Sequence, residues 1–402
     1  MMDRSRDKLN RKSYDYSLLF VVAFLCVYGL IMIYSSSYYT AALKKNDGAY
    51  YLKRQLLFYL AGLAGAVILS LIPYRYYAIF TWPAYGISFL IMLLTDFTSR
   101  GIEVNGQKRW FKVTESISFQ SAELVKISII LLAAYWIARY LRKIDTAKPV
   151  LILAALCLPL AGLVIKNNLS SGFIILAIPV AMVMLVSRGK WRNIIFLALL
   201  VIGLAGILTI KFMSLESLMA LGEKVNKAGL LEQYQLKRIY IWNDPLYDAQ
   251  DSGYQVVQGL YAIGSGGVFG KGLGGSTQKL GFVPEASNDM IFAILCEELG
   301  LFGAVALVIL YVFLLYRMLM IVQRTRDMYG AMLVVGVMAH LALQVVLHIA
   351  VVCNVIPNTG VTLPFISYGG TSSLFTMAEI GIVLSVAREG ETAQAEQKER
   401  SV

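Results

Sequence analysis

The segment GFVPEASNDMIFAILCEELG, residues 281–300, contains four carboxylates, and three of them, Asp289, Glu297 and Glu298, stand at the start of a long apolar run or inside it. Charged side chains in or near a bilayer are energetically costly, so such residues are functional candidates. Asp289 lies at the entrance to the apolar run and could serve as a general base at a membrane surface. Alternatively, it could cap the helix that follows, because Asp is a favoured N-cap residue.

Glu297 and Glu298 interrupt the apolar run after Asp289. If one helix carried all three, Glu297 would lie about 80° round from Asp289, with Glu298 on the opposite face and both about two turns deeper. The three carboxylates would then not form one paired acid site. We expect Glu297 and Glu298 to face inward and to contact basic or polar groups on other membrane spans.

A second cluster occupies NGQKRWFKVTESISFQSAELVK, residues 105–126. Arginine binds phosphate and tryptophan favours headgroup depth, so Arg109 and Trp110 could bind an anion or anchor the chain at the interface. Glu123 and Lys126 are three residues apart and share one helix face, where they can neutralise each other. Such a pair inside a span is either functional or a structural ion pair.

The segment AIGSGGVFGKGLGGSTQKLGFVPEA, residues 262–286, contains the pattern G-x-G-x-x-G from Gly270 to Gly275. No predicted strand precedes it and no predicted helix opens on it, which excludes a dinucleotide-binding fingerprint. Dense glycine nevertheless lets backbone N–H groups approach an anion closely, and Lys271 and Lys279 add positive charge. A flexible loop is the alternative interpretation.

The segment NTGVTLPFISYGGTSSLF, residues 358–375, is the third unusual stretch. Pro364 interrupts backbone hydrogen bonding at membrane depth, which is tolerated where the chain faces protein or a wet cavity. Gly369, Gly370 and the serines beside them allow helices to approach closely, so the predicted purpose of this segment is tight packing.

Membrane-spanning helices are the elements predicted to position these residues. The 402-residue chain is 58% hydrophobic and 15% charged, with a mean hydropathy of +0.65, whereas roughly a quarter of the residues in a soluble protein are charged. The apolar runs lack the alternation of β-barrel strands. We therefore predict an all-α polytopic membrane protein of about ten transmembrane helices. The expected spans are 16–37, 55–72, 76–95, 119–138, 149–165, 171–187, 192–213, 288–316, 329–352 and 365–387.

The distribution of Lys and Arg predicts the orientation of these helices, because cytoplasmic loops are enriched in both. Both termini are expected in the cytoplasm, with a large extracytoplasmic loop, residues 214–287, between helices 7 and 8. Residues 1–388 are expected to form one transmembrane domain, and the polar segment 389–402 a disordered cytoplasmic tail. Cytoplasmic loops explain much of the net charge of +11 without nucleic acid. The remaining basic residues face outward and indicate a surface that handles anions; they are Lys44, Lys45, Lys53, Arg54, Arg100, Lys108, Arg109 and Lys112.

Several motifs occur in order along nearly the whole chain and resemble those of the SEDS family of membrane proteins (shape, elongation, division and sporulation). They are Gly106-x-x-Arg109-Trp110, Gln120-Ser121-Ala122-Glu123-x-x-Lys126, Trp242-Asn243-Asp244-Pro245, Gly253-Tyr254-Gln255, the glycine-rich run 264–274, Pro284-Glu285-Ala286 followed by Asp289, Glu297-Glu298-Leu299-Gly300, and Pro364-Phe365-x-Ser367-Tyr368-Gly369-Gly370. The resemblance implies ten spanning helices and a peptidoglycan glycosyltransferase that polymerises lipid II at the outer face of the cytoplasmic membrane. It also implies a class B penicillin-binding protein as transpeptidase partner, among other membrane proteins of division or elongation.

The resemblance maps the essential acid of the family onto Asp289. This carboxylate would take the proton of the acceptor sugar hydroxyl, while the donor leaves its undecaprenyl pyrophosphate with inversion. Cationic groups or a divalent cation, Mg²⁺ or Mn²⁺, would stabilise the pyrophosphate, and no organic cofactor is implied. The residues expected to bind substrate are Lys108, Arg109, Trp110, Glu123, Lys126, Lys271, Lys279, Glu285 and Ser367.

Three positions depart from the motifs of many relatives. Ser121 replaces a proline, Asn168 replaces an acidic residue with a suggested metal role, and Ser287 stands where a histidine often precedes the essential acid. Two other functions remain open, a lipid II flippase and a scaffold for division or elongation proteins. The motifs are shared by members for division, elongation and sporulation, and the overall look of residues 358–372 favours division.

Overall fold

Apolar helices form most of the computed structural model, which describes residues 15–104, 107–114, 118–227 and 233–400. The helices are α1 (Tyr16–Lys45), α2 (Tyr50–Leu71), α3 (Tyr77–Phe97), α4 (Ser121–Arg139), α5 (Ala147–Asn167), α6 (Leu169–Val186), α7 (Lys190–Lys211), α8 (Leu215–Lys227), α9 (Gln233–Asn243), α10 (Tyr254–Gly266), α11 (Ile291–Arg324), α12 (Met328–Val352) and α13 (Gly370–Arg400). Gly106, from the first motif, lies outside the described residues.

Nine helices of the described chain are long and apolar enough to cross a membrane, namely α1 to α6 and α11 to α13. The seventh predicted span, 192–213, corresponds to α7, whose second half meets α8 at an angle of 118°. Counting this bent pair as one span gives ten. The prediction of an all-α protein with about ten apolar helices is therefore confirmed.

Helix α4 lies inside the bundle, in contact with α3, α6 and α12. Its side chains are buried along almost its whole length. A helix enclosed in this way is apolar on every face, so the charged pair Glu123 and Lys126 stands out within it. Their position near the start of α4 brings both charges into the protein interior.

A three-stranded antiparallel sheet, which the sequence did not predict, joins α3 to α4. Its strands, in sheet order, are β1 (Gly101–Val104), β2 (Gln107–Lys112) and β3 (Ser118–Gln120). The rings of Phe111 and Phe119 pack edge to face across β2 and β3, with centroids 5.7 Å apart. Strands this short give a weak periodic signal in the sequence, which explains why the sheet was missed.

Helix α11 begins at Ile291 and is broken at Gly300, whose backbone angles (φ 64°, ψ −163°) are not helical. The break divides α11 into a short first part that follows Asp289 and a long second part. Backbone groups on each side of such a break lose their helical partners and need others.

The glycine-rich segment before α11 supplies those partners. The backbone N–H groups of Lys271 and Gly272 donate to the carbonyls of Glu297 and Glu298, each at 2.9 Å. A Cβ on Gly270 would clash with the carbonyl of Glu298, and the φ of 78° at Gly270 also favours glycine. The segment is therefore fastened along the break, which contradicts the interpretation as a flexible loop.

Helix α13 continues to Arg400, into the polar segment 389–402 for which we predicted a disordered tail. This end of the chain is rich in Ala, Glu, Gln, Lys and Arg, which have high helix propensity. Because packing of the apolar part against α2 already nucleates the helix, each added residue extends it at little cost. The described residues of this segment are thus helical as far as Arg400.

Candidate active site

Asp289 ends a turn before α11, and Met290 occupies the N-cap position of that helix. The capping interpretation of Asp289 is therefore wrong. Because the helix starts after Asp289, the helical angles expected between it and the two glutamates do not apply either. The Asp289 carboxylate instead accepts a hydrogen bond of 3.3 Å from the side-chain amide of Gln255. The backbone at Gly360 also lies close, since a Cβ there would be 3.5 Å from Oδ2 of Asp289.

Burial raises the pKa of Asp289 from its ordinary 3.8 to about 7, and the negative charge of Glu285 contributes to the increase. The hydrogen bond from Gln255 and the positive charge of Arg238 act in the opposite direction. A carboxyl group with a pKa near 7 is partly ionised at neutral pH and binds a proton strongly enough to act as a base.

Residues that follow Pro364 in the chain hold the turn that carries Asp289. The hydroxyl of Ser367 donates to the carbonyl of Asn288 at 2.6 Å and accepts from the N–H of Leu363 at 2.7 Å. The N–H of Tyr368 donates to the carbonyl of Ser287 at 2.8 Å. Ser367, predicted to bind substrate, is thus bonded within the protein and positions the residue next to Asp289.

A chain of hydrogen bonds runs from Asp289 to a guanidinium group. Gln255, which donates to Asp289, accepts a bond of 3.2 Å from the side-chain amide of Asn358. Arg238 donates to the Asn358 carbonyl at 2.6 Å. None of these three was predicted as a site residue, although Gln255 lies in the G-Y-Q motif and Asn358 begins an unusual stretch. Arg238 lies in the predicted large loop, residues 214–287, within which it was not singled out.

Two adjoining cavities lie beside this chain of bonds. The first, about 190 Å³, is lined by Arg109, Arg238 and Asn358 among others, and we call it the arginine cavity. The second, about 370 Å³, shares Arg238 and Asn358 with it and is also lined by Gln255. Two guanidinium groups thus line one cavity, and a guanidinium group can donate two parallel hydrogen bonds to phosphate oxygens.

The sheet positions the predicted cation Arg109 at the arginine cavity. Strand β2 carries it, and its Nε donates to the carbonyl of Asn167 at the end of α5, at 2.8 Å. The neighbouring Lys108 donates to the carbonyl of Asp96 at 3.3 Å. Trp110 lies half-buried on the same strand, paired with Ile102 and Gln120 in the sheet.

Glu123 and Lys126 form a buried ion pair with 2.8 Å between their charged atoms. Lys126 also donates to the side-chain carbonyl of Gln344 on α12, at 3.4 Å. Gln344 in turn donates to the carbonyl of Thr362 at 3.0 Å. The pair therefore supports the segment that passes Asp289 at Gly360.

Lys271 and Lys279, predicted to bind substrate, pair with the two glutamates of α11. Lys271 lies 2.6 Å from Glu297, and Lys279 lies 2.6 Å from Glu298. Both carboxylates are fully buried, and Lys279 is nearly so. The glutamates were expected to contact other spans; Glu298 does accept a hydrogen bond from Ser35 of α1, but both cationic partners come from the glycine-rich segment.

The anion that the glycine-rich segment binds is therefore a carboxylate of the protein itself. The backbone N–H groups of Thr277 and Gln278 donate to the carboxylate of Glu297, at 3.1 and 3.3 Å. The prediction that this segment approaches an anion identified the right chemistry, but it assigned the anion to a ligand. The charges of Lys271 and Lys279 are neutralised by these carboxylates.

A divalent cation has two carboxylates available near the reaction centre. Glu285 is exposed four residues before Asp289, close enough for its charge to affect the Asp289 pKa. Within the described residues, no three His, Cys, Asp or Glu side chains gather as a ready-made metal site. Mg²⁺ typically binds one or two carboxylates together with substrate phosphates, and the carboxylates of Asp289 and Glu285 are ligands of the kind that such an ion prefers.

Asn168, at the position where many relatives carry an acid, has a structural role. Its side chain accepts a hydrogen bond of 3.1 Å from the N–H of Ser171 and so caps α6. It also lines the arginine cavity. An Asn performs this capping role as well as an Asp.

Known proteins resemble the chain over most of its length. It is 32% identical to a protein of Trichlorobacter lovleyi named probable peptidoglycan glycosyltransferase FtsW, over 96% of each chain. It is 34% identical to stage V sporulation protein E of Bacillus subtilis, over 94% of this chain and 98% of that protein.

Solved structures share the fold. One, described as a peptidoglycan synthase complex that coordinates polymerization and crosslinking, contains a chain that superposes with a TM-score of 0.72 at 29% identity. The rod shape determining protein RodA of Thermus thermophilus superposes with a TM-score of 0.64 at 25% identity. Each match covers 94% of this chain and 98% of the other. The family model for cell cycle proteins of the FtsW, RodA and SpoVE type matches residues 16–392, and the chain therefore belongs to that family.

Proposed function

We infer that the chain is a multi-pass membrane glycosyltransferase that polymerises lipid II into the glycan strands of peptidoglycan. The observation that carries this inference is Asp289, a half-buried carboxyl group with a pKa of about 7, linked through two hydrogen-bonded amides to the arginine cavity. A base beside a phosphate-binding cavity is the arrangement that transfer from a sugar pyrophosphate requires. Relatives named peptidoglycan glycosyltransferase support the same conclusion.

The reaction needs one base and one stabilised leaving group. Asp289 takes the proton from the 4-hydroxyl of the acceptor sugar as that oxygen forms a bond to C1 of the donor. The bond between C1 and the pyrophosphate oxygen breaks, and its electron pair leaves with the lipid pyrophosphate. Because pyrophosphate is already a good leaving group, no second carboxylic acid is needed, and a single displacement inverts the configuration at C1.

Arg109 and Arg238 are assigned to the leaving pyrophosphate. In this assignment their positive charges stabilise the negative charge that develops on the leaving oxygen, which lowers the barrier. Asp289 and Glu285 are the carboxylates that would hold Mg²⁺ or Mn²⁺, and the ion would supply further neutralising charge.

The site is assigned to the outer face of the cytoplasmic membrane, with both termini in the cytoplasm. The Lys and Arg distribution supports this orientation. A class B penicillin-binding protein is the proposed transpeptidase partner, together with other membrane proteins of division or elongation. The structural neighbour that acts within a peptidoglycan synthase complex supports a partner of this kind.

Polymerisation by the purified protein, with its transpeptidase partner, fluorescent lipid II and divalent cations, tests the function. We expect glycan from the wild type and a decrease in rate of about 10²-fold or more for Asp289→Asn. Asp251→Asn is the matched control, because Asp251 is an exposed carboxylate that lines the second cavity and pairs with Lys237.

Equal rates for wild type and Asp289→Asn would contradict the role of Asp289. Absence of glycan from the wild type, despite the partner and cations, would favour lipid transport. In that case, movement of labelled lipid II between the leaflets of vesicles is the measurement that decides.

A further inference from the structure

A third cavity adjoins the turn that carries Asp289 and has a different chemical character. It measures about 350 Å³ and is lined by the turn residues 284–288, by α1 and by Tyr51 and Tyr368. The two tyrosine rings meet edge to face with centroids 5.0 Å apart. Serine and threonine side chains of α1 complete the wall, namely Ser36, Ser37 and Thr40. We call it the tyrosine cavity.

The two cavities reach Asp289 by different routes. Asn288, the residue immediately before Asp289, lines the tyrosine cavity. Gln255 and Asn358, the amides that link Asp289 to Arg238, line the cavities on the arginine side. Asp289 therefore follows a residue of the tyrosine cavity in the chain and accepts a hydrogen bond from a residue on the arginine side.

The reaction makes different demands on its two substrates at this point. The donor brings its pyrophosphate to the reacting carbon, so cations must stand on the donor side. The acceptor brings only a neutral sugar there, because its own pyrophosphate lies one disaccharide away. Hydroxyl side chains and tyrosine rings suit a neutral sugar, which presents hydroxyl edges and apolar C–H faces.

We propose that the tyrosine cavity binds the terminal sugar of the acceptor lipid II, while the arginine cavity binds the pyrophosphate of the donor. This assignment rests on the proposed function and adds which substrate occupies which side of Asp289. Lys44, which also lines the tyrosine cavity, is placed for the acceptor's own pyrophosphate. That position gives a reason for a lysine on the outward side, although Lys and Arg are expected mainly in cytoplasmic loops.

A coupling assay with two modified lipid II molecules tests the assignment. A 4-deoxy analogue can act only as donor, because it lacks the accepting hydroxyl. A C-phosphonate analogue can act only as acceptor, because its C1 keeps a bond to carbon that does not break. The two analogues together give a single tetrasaccharide product. The concentration of one analogue is varied while the other is saturating, which yields a separate KM for the donor and for the acceptor.

Tyr51→Leu and Thr40→Val should raise the acceptor KM by roughly three- to tenfold, with the donor KM unchanged. Arg238→Gln should raise the donor KM or lower kcat, with the acceptor KM unchanged. Tyr38→Leu is the matched control on α1, because Tyr38 is 52% exposed and lies outside the residues that line the cavity. Thermal unfolding of each variant verifies that it is folded.

The results distinguish failure of the cavity assignment from failure of the proposed function. A larger donor KM for Tyr51→Leu and Thr40→Val, or an equal change in both constants, would overturn the assignment while leaving the glycosyltransferase function intact. Absence of tetrasaccharide from the wild type would overturn the proposed function and this assignment with it. Unchanged constants in both variants would also overturn it, since the cavity would then bind neither substrate.

Discussion

Asp289 and Glu285 are four residues apart, and the charge of Glu285 raises the pKa of Asp289. A general base must be deprotonated to act, so its pKa sets the acidic limb of the pH–rate profile. We expect kcat/KM to rise with pH and to level off above about 7, the pKa of Asp289.

Glu285→Gln removes the neighbouring negative charge and should lower the pKa of Asp289. The acidic limb of kcat/KM should therefore move to lower pH, measured as initial rates of polymerisation across a pH series. Glu216→Gln on α8 is the control, because its exposed side chain is absent from the groups that affect Asp289. A limb that stays in place would show that another group controls the ionisation.

Variants of Ser367 test whether the turn before α11 must be held in place for catalysis. Ser367→Ala leaves the Asn288 carbonyl and the Leu363 N–H without this partner, at a cost of about 1–3 kcal/mol. We expect a lower kcat with little change in KM, because Ser367 positions Asp289 without touching substrate. Ser367→Thr, which keeps the hydroxyl, should recover part of the rate, and a change in KM alone would contradict the positioning role.

Residue types singled out Asp289, Arg109 and the Glu123–Lys126 pair as candidates, because charges beside apolar runs are conspicuous. Sequence did not reveal that Lys271 and Lys279 are neutralised, since their partners depend on how the chain folds back along α11. The roles of Gln255, Asn358 and Arg238 were missed for the same reason. A neutral amide in a polar segment gives no signal until its neighbours are known.

At the scale of elements, the glycine-rich segment is held to α11 by buried charges. Breaking such a pair leaves an uncompensated charge and costs about 3–5 kcal/mol, whereas an exposed pair contributes about 0–1 kcal/mol. Lys279→Met should therefore lower the Tm strongly in detergent micelles, because Glu298 loses its cation. Lys53→Met, in the exposed pair with Asp47, is the control and should change the Tm little.

The double variant Lys279→Met/Glu298→Leu separates charge from packing. It removes both charges, so it should be more stable than Lys279→Met alone. A double variant as unstable as the single one would mean that the lysine acts through packing and through its bond to Ser35.

The apolar runs predicted most of the helices, because twenty apolar residues have few other stable arrangements. The sheet of β1, β2 and β3 was not predicted, since its strands are three to six residues long. The break at Gly300 was equally hidden, because the hydrophobic pattern continues across it. Pairing between the glycine-rich segment and α11 forms only in the folded chain.

At the scale of the whole molecule, orientation follows from charge and can be measured. In a variant without the four free cysteines, Lys45→Cys and Arg324→Cys place single thiols at opposite ends of the bundle. We expect a membrane-impermeant maleimide to label Lys45→Cys in intact cells and Arg324→Cys only after lysis. The reverse pattern would place the site on the cytoplasmic side.

The break at Gly300 also has a mechanical consequence. A continuous α11 would act as a rigid lever, and any change in its tilt within the bilayer would displace Asp289. The break instead separates the long second part of α11 from the short first part, which Glu297 and Glu298 hold to the glycine-rich segment. Because long spans adjust their tilt to membrane thickness, we expect the break to keep the distance between Asp289 and the arginine cavity constant in membranes of different thickness.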